Sequence, residues 1–291
     1  MRGIPSIAGM ISIFLFVYLV SIAIAEKFER LGIRAFENPD NPANIVYFIA
    51  TLLIITALII IIAKLWKKEA IQVFVLLAII ATIFTLFQAL FYGFVTNIIA
   101  DALSLAISVA LIVLLLAYPE WYIIDLSAII LSIGAVTIFG ISISPYLVIP
   151  LLIVLALYDA ISVYKTKHMI DLADTIVDLK LPVLFIIPYK IKYRFRKQVG
   201  GLKKQVKRKE RDALFVGVGD VVIPGILVIS AYSFTSSLEI SLSVVAGIIA
   251  GFICLMVFPS KDKPHAGLPF LNTGAIIGYI LSSLIFHGIL H

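Results

Sequence analysis

The sequence predicts an all-α polytopic membrane protein with nine transmembrane helices, six in an N-terminal part and three in a C-terminal part. Three observations carry this reading. Hydrophobic residues make up 62% of the 291-residue chain and charged residues only 14%, against ~45–50% and ~25% in ordinary soluble domains. The apolar residues are gathered in long unbroken runs bounded by charge, and a bilayer-spanning helix needs ~20 of them in a row. The basic residues fall almost entirely on one side of the predicted membrane. Together these exclude a soluble globular enzyme, a disordered chain and a DNA-binding protein. An outer-membrane barrel is excluded by the lack of two-residue alternation.

The nine runs are Ile4–Ala25, Ile45–Ala63, Ile71–Tyr92, Ala102–Tyr118, Trp121–Ile143, Pro145–Tyr164, Ala213–Phe234, Ile240–Phe258 and Leu268–Leu290. The first is too long for a signal-peptide core, and Arg2 is its only leading charge, so it reads as a retained helix. The fourth is short and separated from the fifth by a tight turn at Pro119-Glu120. With nine spans, 20 of the 23 Lys and Arg residues lie on the side of the N-terminus, 14 of them between Lys165 and Arg211. Only Lys27, Arg30 and Arg34 lie opposite. By the positive-inside rule the N-terminus is cytoplasmic and the C-terminus extracytoplasmic in a multi-pass cell-membrane protein.

The chain therefore divides into a six-helix part (1–164), a cytoplasmic loop (165–212) and a three-helix part (213–291). Within the loop, Asp171, Asp174 and Asp178 are spaced at helical intervals against Ile170, Ala173, Ile176 and Val177. This predicts an amphipathic interfacial helix over Met169–Lys180. Leu181–Pro188 is apolar but too short to span, and reads as a strand or a membrane-surface anchor. Lys190–Arg211 is strongly basic with few aromatics, which favours anionic lipid over nucleic acid. The lone Cys254 excludes an intrachain disulfide and a cysteine-clustered metal site. There is no HExxH, and His168, His265, His287 and His291 are scattered, so no metal or other cofactor is expected.

The informative residues in a membrane protein are ionisable groups inside its spans. Three aspartates stand out. Asp125, one turn into the fifth run, reads as an interfacial carboxylate near the headgroups. Asp159 lies six residues before Lys165, and Asp220 eight residues after Asp212. At ~1.5 Å per residue both sit roughly 9–12 Å from the same boundary. A lone aspartate at such depth costs ~2.5–3.5 kcal/mol on insertion scales, so a matched pair implies that the two meet each other or water.

Asp220 sits in Gly217-Val218-Gly219-Asp220-Val221-Val222-Ile223-Pro224. The glycines allow close backbone approach. Pro224 has no N–H, so the carbonyl of residue 220 loses its helical donor and the helix opens at the carboxylate itself. In lipid such an opening persists only against protein or a water-filled cavity. Gly267-Leu268-Pro269-Phe270-Leu271 opens the last helix at the same level, proline being common in a first turn.

Tyr158-Asp159, Gly217-Val218-Gly219-Asp220 and Pro269-Phe270-Leu271, in this order, resemble the YD, GxGD and PAL motifs of the presenilin and signal peptide peptidase family of intramembrane aspartyl proteases. The nine-helix layout and the large loop between the aspartate helices are also similar to that family, and the small size is most like its archaeal members. Phe270 stands where the family has alanine, which bears on the geometry of the third motif. The resemblance implies an aspartic endopeptidase with Asp159 and Asp220 as the catalytic pair. It implies that Tyr158, Gly217, Gly219 and Pro224 shape the motif around them, and that Pro269, Phe270 and Leu271 bind substrate. No metal or cofactor is implied. Two adjacent carboxyl groups do not both ionise easily and share one proton. The substrate would be a transmembrane helix of a membrane protein or a signal-peptide remnant. It must unwind locally and, by analogy with the family, would pair as a strand with the apolar stretch before the seventh helix or the loop after the sixth.

One other class competes on the same residues. Paired membrane carboxylates beside a broken helix also describe a proton- or cation-conducting channel or transporter. A transporter would more often show two matching halves with its site near the midplane, whereas these acids lie in the cytoplasmic third. Gly140-Ile141-Ser142 resembles part of a serine-hydrolase motif, but no histidine lies in a span at that level.

Overall fold

The computed structural model describes residues 4–65, 68–166, 181–189, 213–257 and 265–286. Among them are nine α-helices: α1 (Ile4–Arg30), α2 (Ala43–Leu65), α3 (Lys68–Phe91), α4 (Asn97–Ala117), α5 (Trp121–Gly140), α6 (Pro145–Ile161), α7 (Val218–Thr235), α8 (Leu238–Val257) and α9 (Leu268–Phe286). Eight contain segments long and apolar enough to cross a membrane, and α2 adds a shorter apolar stretch, Ala43–Leu58. The expected interfacial helix Met169–Lys180 and the basic stretch Lys190–Arg211 lie outside the described residues.

Three boundaries differ from the sequence reading by five residues. The seventh helix starts at Val218, because Ala213–Gly217 forms a strand, β2, antiparallel to β1 (Leu184–Pro188). Phe215 and Val216 suit a strand, and the pairing satisfies backbone groups that a frayed helix start would leave open. Second, α4 begins at Asn97, not Ala102. Asp101, a charge at the edge of the apolar run, lies inside the helix and accepts a hydrogen bond from the Gln88 amide of α3 at 2.7 Å. Third, α1 runs on to Arg30, whose guanidinium pairs with Glu26 one turn earlier. It closes with the Ile33 N–H on the Phe28 carbonyl and the Gly32 N–H on the Glu29 carbonyl, a Schellman ending.

The chain forms two compact units. One holds α2 from Val46, α3, α4, α5 to Gly134, the two strands and the start of α1. Its core packs Leu76, Ile79 and Ile83 of α3 with Ile112 and Leu115 of α4, Ile123 and Ile124 of α5, and Leu181, Ile186 and Ala213 of the hairpin. Apolar side chains from both strands thus seat the hairpin on three helices.

The other unit holds α1 from Ile7, the end of α5, α6, α7 from Gly219, α8 and α9. Phe14 and Tyr18 of α1 are fully buried there, with the Phe14 ring 5.3 Å from that of Phe252 on α8. The α8 and α9 backbones nearly touch: a methyl on Gly247 would lie 2.1 Å from the Gly274 carbonyl, and one on Gly251 would lie 2.3 Å from the Phe270 carbonyl. Small residues at such crossings let helices pack through their backbones. Here the crossing fixes the first turn of α9, which carries Pro269 and Phe270.

Candidate active site

Asp159 and Asp220 lie in the same compact unit, on α6 and α7. Asp159 is buried and Asp220 half-buried. The start of α9 joins them. The Leu268 N–H donates to Asp159 Oδ2 at 3.1 Å. One residue earlier, Gly267 lies against the other acid: a methyl in place of its hydrogen would be 3.0–3.1 Å from the three carboxyl atoms of Asp220. Two carboxylates from different helices thus converge on consecutive residues of one turn. The first amides of a helix have no partner within it, and here one of them holds a carboxylate, an arrangement the helix dipole favours.

A second grip sits one turn further along α9. Asn272 Nδ2 donates to the Leu152 carbonyl of α6 at 2.8 Å, in a buried setting. Leu152 and Asp159 are two turns apart on α6, so α9 holds α6 at two points along its length. This fixes the height of Asp159 relative to the turn that meets Asp220.

On α7, Pro224 is buried inside the helix and cannot donate to the Asp220 carbonyl. Across this break lies Tyr18 of α1. Its hydroxyl donates to the Val221 carbonyl at 2.8 Å. Its ring can lie there because residue 225 is glycine: a methyl on Gly225 would come 2.6 Å from Tyr18 Cε1. Tyr18 therefore braces the opened turn that presents Asp220. Tyr18→Phe keeps the ring and removes only this bond, which is worth about 1 kcal/mol. We expect kcat to fall severalfold with KM unchanged in a peptide-cleavage assay. A wild-type kcat would show that the brace is not used.

The other residues singled out in the sequence are distributed around this centre. Tyr158 neighbours Asp159 in sequence, but its side chain is 42% exposed while Asp159 is buried. Gly219 is exposed, and a methyl there would meet only Ile223 Cδ1, at 3.8 Å. Gly217 closes β2 opposite Leu184. Pro269 and Phe270 are half-buried and Leu271 is buried. Gly267 and Leu268, read in the sequence only as the opening of the last helix, are the residues that meet the acids, and Asn272 and Tyr18 are site residues that the sequence reading does not pick out. Asn272 and Tyr18 each leave a signal, a polar group in the middle of an apolar run. Among the described residues no three His, Cys, Asp or Glu side chains gather as a metal site would require.

The family model for signal-peptide peptidase and presenilin aspartyl proteases matches residues 11–289. The chain belongs to this family. Two solved structures of a presenilin family intramembrane aspartate protease, in different crystal forms, superpose on it. One, in space group P2, has a TM-score of 0.70 at 33% identity, covering 95% of this chain and 97% of that one. The other, in C222, has a TM-score of 0.67 at 31% identity, covering 94% and 95%. No curated protein sequence matches. The presenilin-type chain is thus a multi-pass membrane protein and an intramembrane aspartyl protease, and the channel reading of its carboxylates is not favoured.

Proposed function

We propose that Asp159 and Asp220 are the two catalytic carboxylates of this protease, acting on transmembrane helices or signal-peptide remnants held in the bilayer. The observation that carries the reading is their convergence on Gly267 and Leu268. In the reaction, the ionised member of the pair takes a proton from water, and the resulting hydroxide adds to the scissile carbonyl carbon. The protonated member donates to the carbonyl oxygen, giving a tetrahedral diol. Proton return to the amide nitrogen and cleavage of the C–N bond release the acid and the amine. The proton belongs to the pair, so acid and base roles are not divided between the residues.

The motif residues have geometric roles in this account. Pro224 opens α7 beside Asp220. Gly219 leaves open space one residue before it, where a substrate backbone approaches. Gly217 ends the strand that leads into the helix, and Tyr158 presents a ring to substrate or lipid. A helical peptide bond is shielded by its own hydrogen bonds, so the substrate unwinds and adds as a strand to β2, which ends three residues before Asp220. We orient the chain with its N-terminus and residues 165–212 cytoplasmic and its C-terminus extracytoplasmic, giving parts 1–164, 165–212 and 213–291. The basic stretch Lys190–Arg211 then faces anionic lipid headgroups, not nucleic acid.

Pro269, Phe270 and Leu271 hold substrate and transfer no proton. Phe270→Ala is expected to keep catalysis but shift the cut position, because a smaller side chain widens the adjoining subsite. Pro269→Ala is expected to slow cleavage more, by loosening the helix start that carries Gly267 and Leu268. Mass spectrometry of the products from one peptide reads both effects, and identical rates and products in both variants would leave this turn no role beyond starting a helix.

The proposal is tested with purified protein in vesicles, offered a transmembrane peptide across a pH series. A shared proton predicts activity falling on both the acid and the alkaline side. A rate that rises with pH to a plateau would indicate one base and no dyad. Ion flux in the same vesicles without any cleavage would restore the channel reading.

A further inference from the structure

Asp125 is an acid within a span that the mechanism does not use. Its place in the sequence suggests the headgroups, but its side chain is 7% exposed. It lies in the same compact unit as the hairpin, and its Oδ1 accepts the Ile186 N–H of β1 at 2.7 Å in a buried setting. A carboxylate on a strand amide has a consequence for strand pairing, because it occupies a group that a further strand would need.

The register shows which groups those are. Leu184–Pro188 pairs with Ala213–Gly217, Phe185 opposite Val216 and Ile187 opposite Leu214. One step beyond the strand, the Val218 N–H donates to the Val183 carbonyl at 3.0 Å. In an antiparallel ladder, pairs that exchange bonds alternate with pairs whose N–H and C=O point outward. Val183–Val218 is a bonded pair, so Phe185–Val216 and Ile187–Leu214 are bonded too. Leu184, Ile186 and Pro188 on β1, and Ala213, Phe215 and Gly217 on β2, therefore direct their backbone groups away from the hairpin.

On the β1 side the middle and the end of this outward row are blocked. Asp125 holds the Ile186 amide. Pro188 has no amide, and its carbonyl accepts the Ser6 hydroxyl at 3.3 Å. Proline and covered amides are how proteins close a sheet edge to strand addition. On the β2 side the Phe215 amide and carbonyl face outward with no such cover among the described residues.

We infer that Asp125 is a positioning residue for the protease reaction: it blocks the β1 edge at its middle amide and ties the hairpin to α5, so that a substrate strand adds to β2 and in one register. This rests on the reading that the unwound substrate pairs with β2. A free β1 edge, or a hairpin free to shift, would offer the substrate other registers. Each two-residue slip keeps the side-chain faces and moves a different peptide bond to the acids.

The test compares Asp125→Leu, Asp125→Asn and Phe215→Pro with wild type, cleaving one transmembrane peptide, with kcat, KM and product masses recorded. Asp125→Leu removes the acceptor and is expected to lower kcat/KM on the order of tenfold and to spread cleavage over neighbouring bonds. Asp125→Asn keeps an acceptor oxygen and is expected to restore the single cut position. If Asp125→Leu does not fold, Asp125→Ser, too short to reach the Ile186 amide, replaces it with the same expected spread. Wild-type rate and products in the variant lacking the acceptor overturn the inference, as does an Asp125→Asn product pattern as dispersed as that of Asp125→Leu. Phe215→Pro removes an outward amide of β2 without removing a β1–β2 bond and is expected to lose most cleavage. Full activity there overturns strand addition to β2, and the inference with it. A dead Phe215→Pro beside an unaffected Asp125→Leu overturns the role of Asp125 alone.

Discussion

Purified protein carrying Asp159→Asn or Asp220→Asn is expected to lose cleavage of a transmembrane peptide by about 10⁴-fold or more, in either single variant. Asparagine matches the shape of aspartate but neither ionises nor supplies the shared acidic proton. The double variant is expected to be no worse than either single one, because residues that act as one unit are not additive. Folding is expected to persist. In Asp159→Asn the new amide oxygen can still accept the Leu268 N–H, which Asp159 holds at 3.1 Å, and removing a charge buried in a membrane protein relieves its desolvation cost. Thermal unfolding measured beside cleavage separates the two effects. Substantial residual proteolysis in one variant with an intact fold would remove that aspartate from the chemistry.

The second large effect is expected at a residue with no side chain. Gly267 lies so close to Asp220 that a methyl would be 3.0–3.1 Å from its carboxyl atoms, a few tenths of an ångström inside ordinary contact. Gly267→Ala pushes the carboxyl slightly. Gly267→Val adds two further carbons at a buried position and forces it further from the turn. Displacing a catalytic group by about 1 Å costs on the order of 10²-fold in rate. We therefore expect a graded loss from Gly to Ala to Val in kcat, near 10²-fold for valine, with the fold retained. Equal activity across the series would mean that the carboxyl moves freely and that this contact does not set the dyad.

Much of this arrangement is legible in the sequence, for definite physical reasons. Helices in lipid must be long, continuous and apolar, so composition alone outlines nine of them. A carboxylate inside a span is costly, so Asp159 and Asp220 stand out without any structure, and Pro224 marks the break beside one of them. What the sequence hides lies where local pattern carries no information. Ala213–Gly217 is a five-residue apolar run, which periodicity cannot distinguish from the first turn of a buried helix. Only its pairing with Leu184–Pro188 makes it a strand. Asp101 reads as a helix boundary because its partner, Gln88, sits on another helix. Asp125 reads as interfacial by its position, yet its partner is the amide of Ile186, 61 residues away. The brace from Tyr18 to Val221 spans 203 residues. Gly267 is read in sequence as part of the stretch that opens the last helix at the level of the acids, and only the folded chain brings the Asp220 carboxyl against it.

The claim beneath all of these expectations is that Asp159 and Asp220 form one site that recognises a tetrahedral carbonyl adduct. The most direct test is the affinity of a transmembrane peptide whose scissile bond is replaced by a hydroxyl-bearing isostere, compared with the parent amide peptide. It is measured on wild type, Asp159→Asn and Asp220→Asn. The account predicts that wild type binds the isostere at least ~10²-fold more tightly than the amide, and that each variant loses this preference while still binding the amide peptide. Equal affinity for the two peptides in wild type, or a preference that survives in either variant, would contradict it.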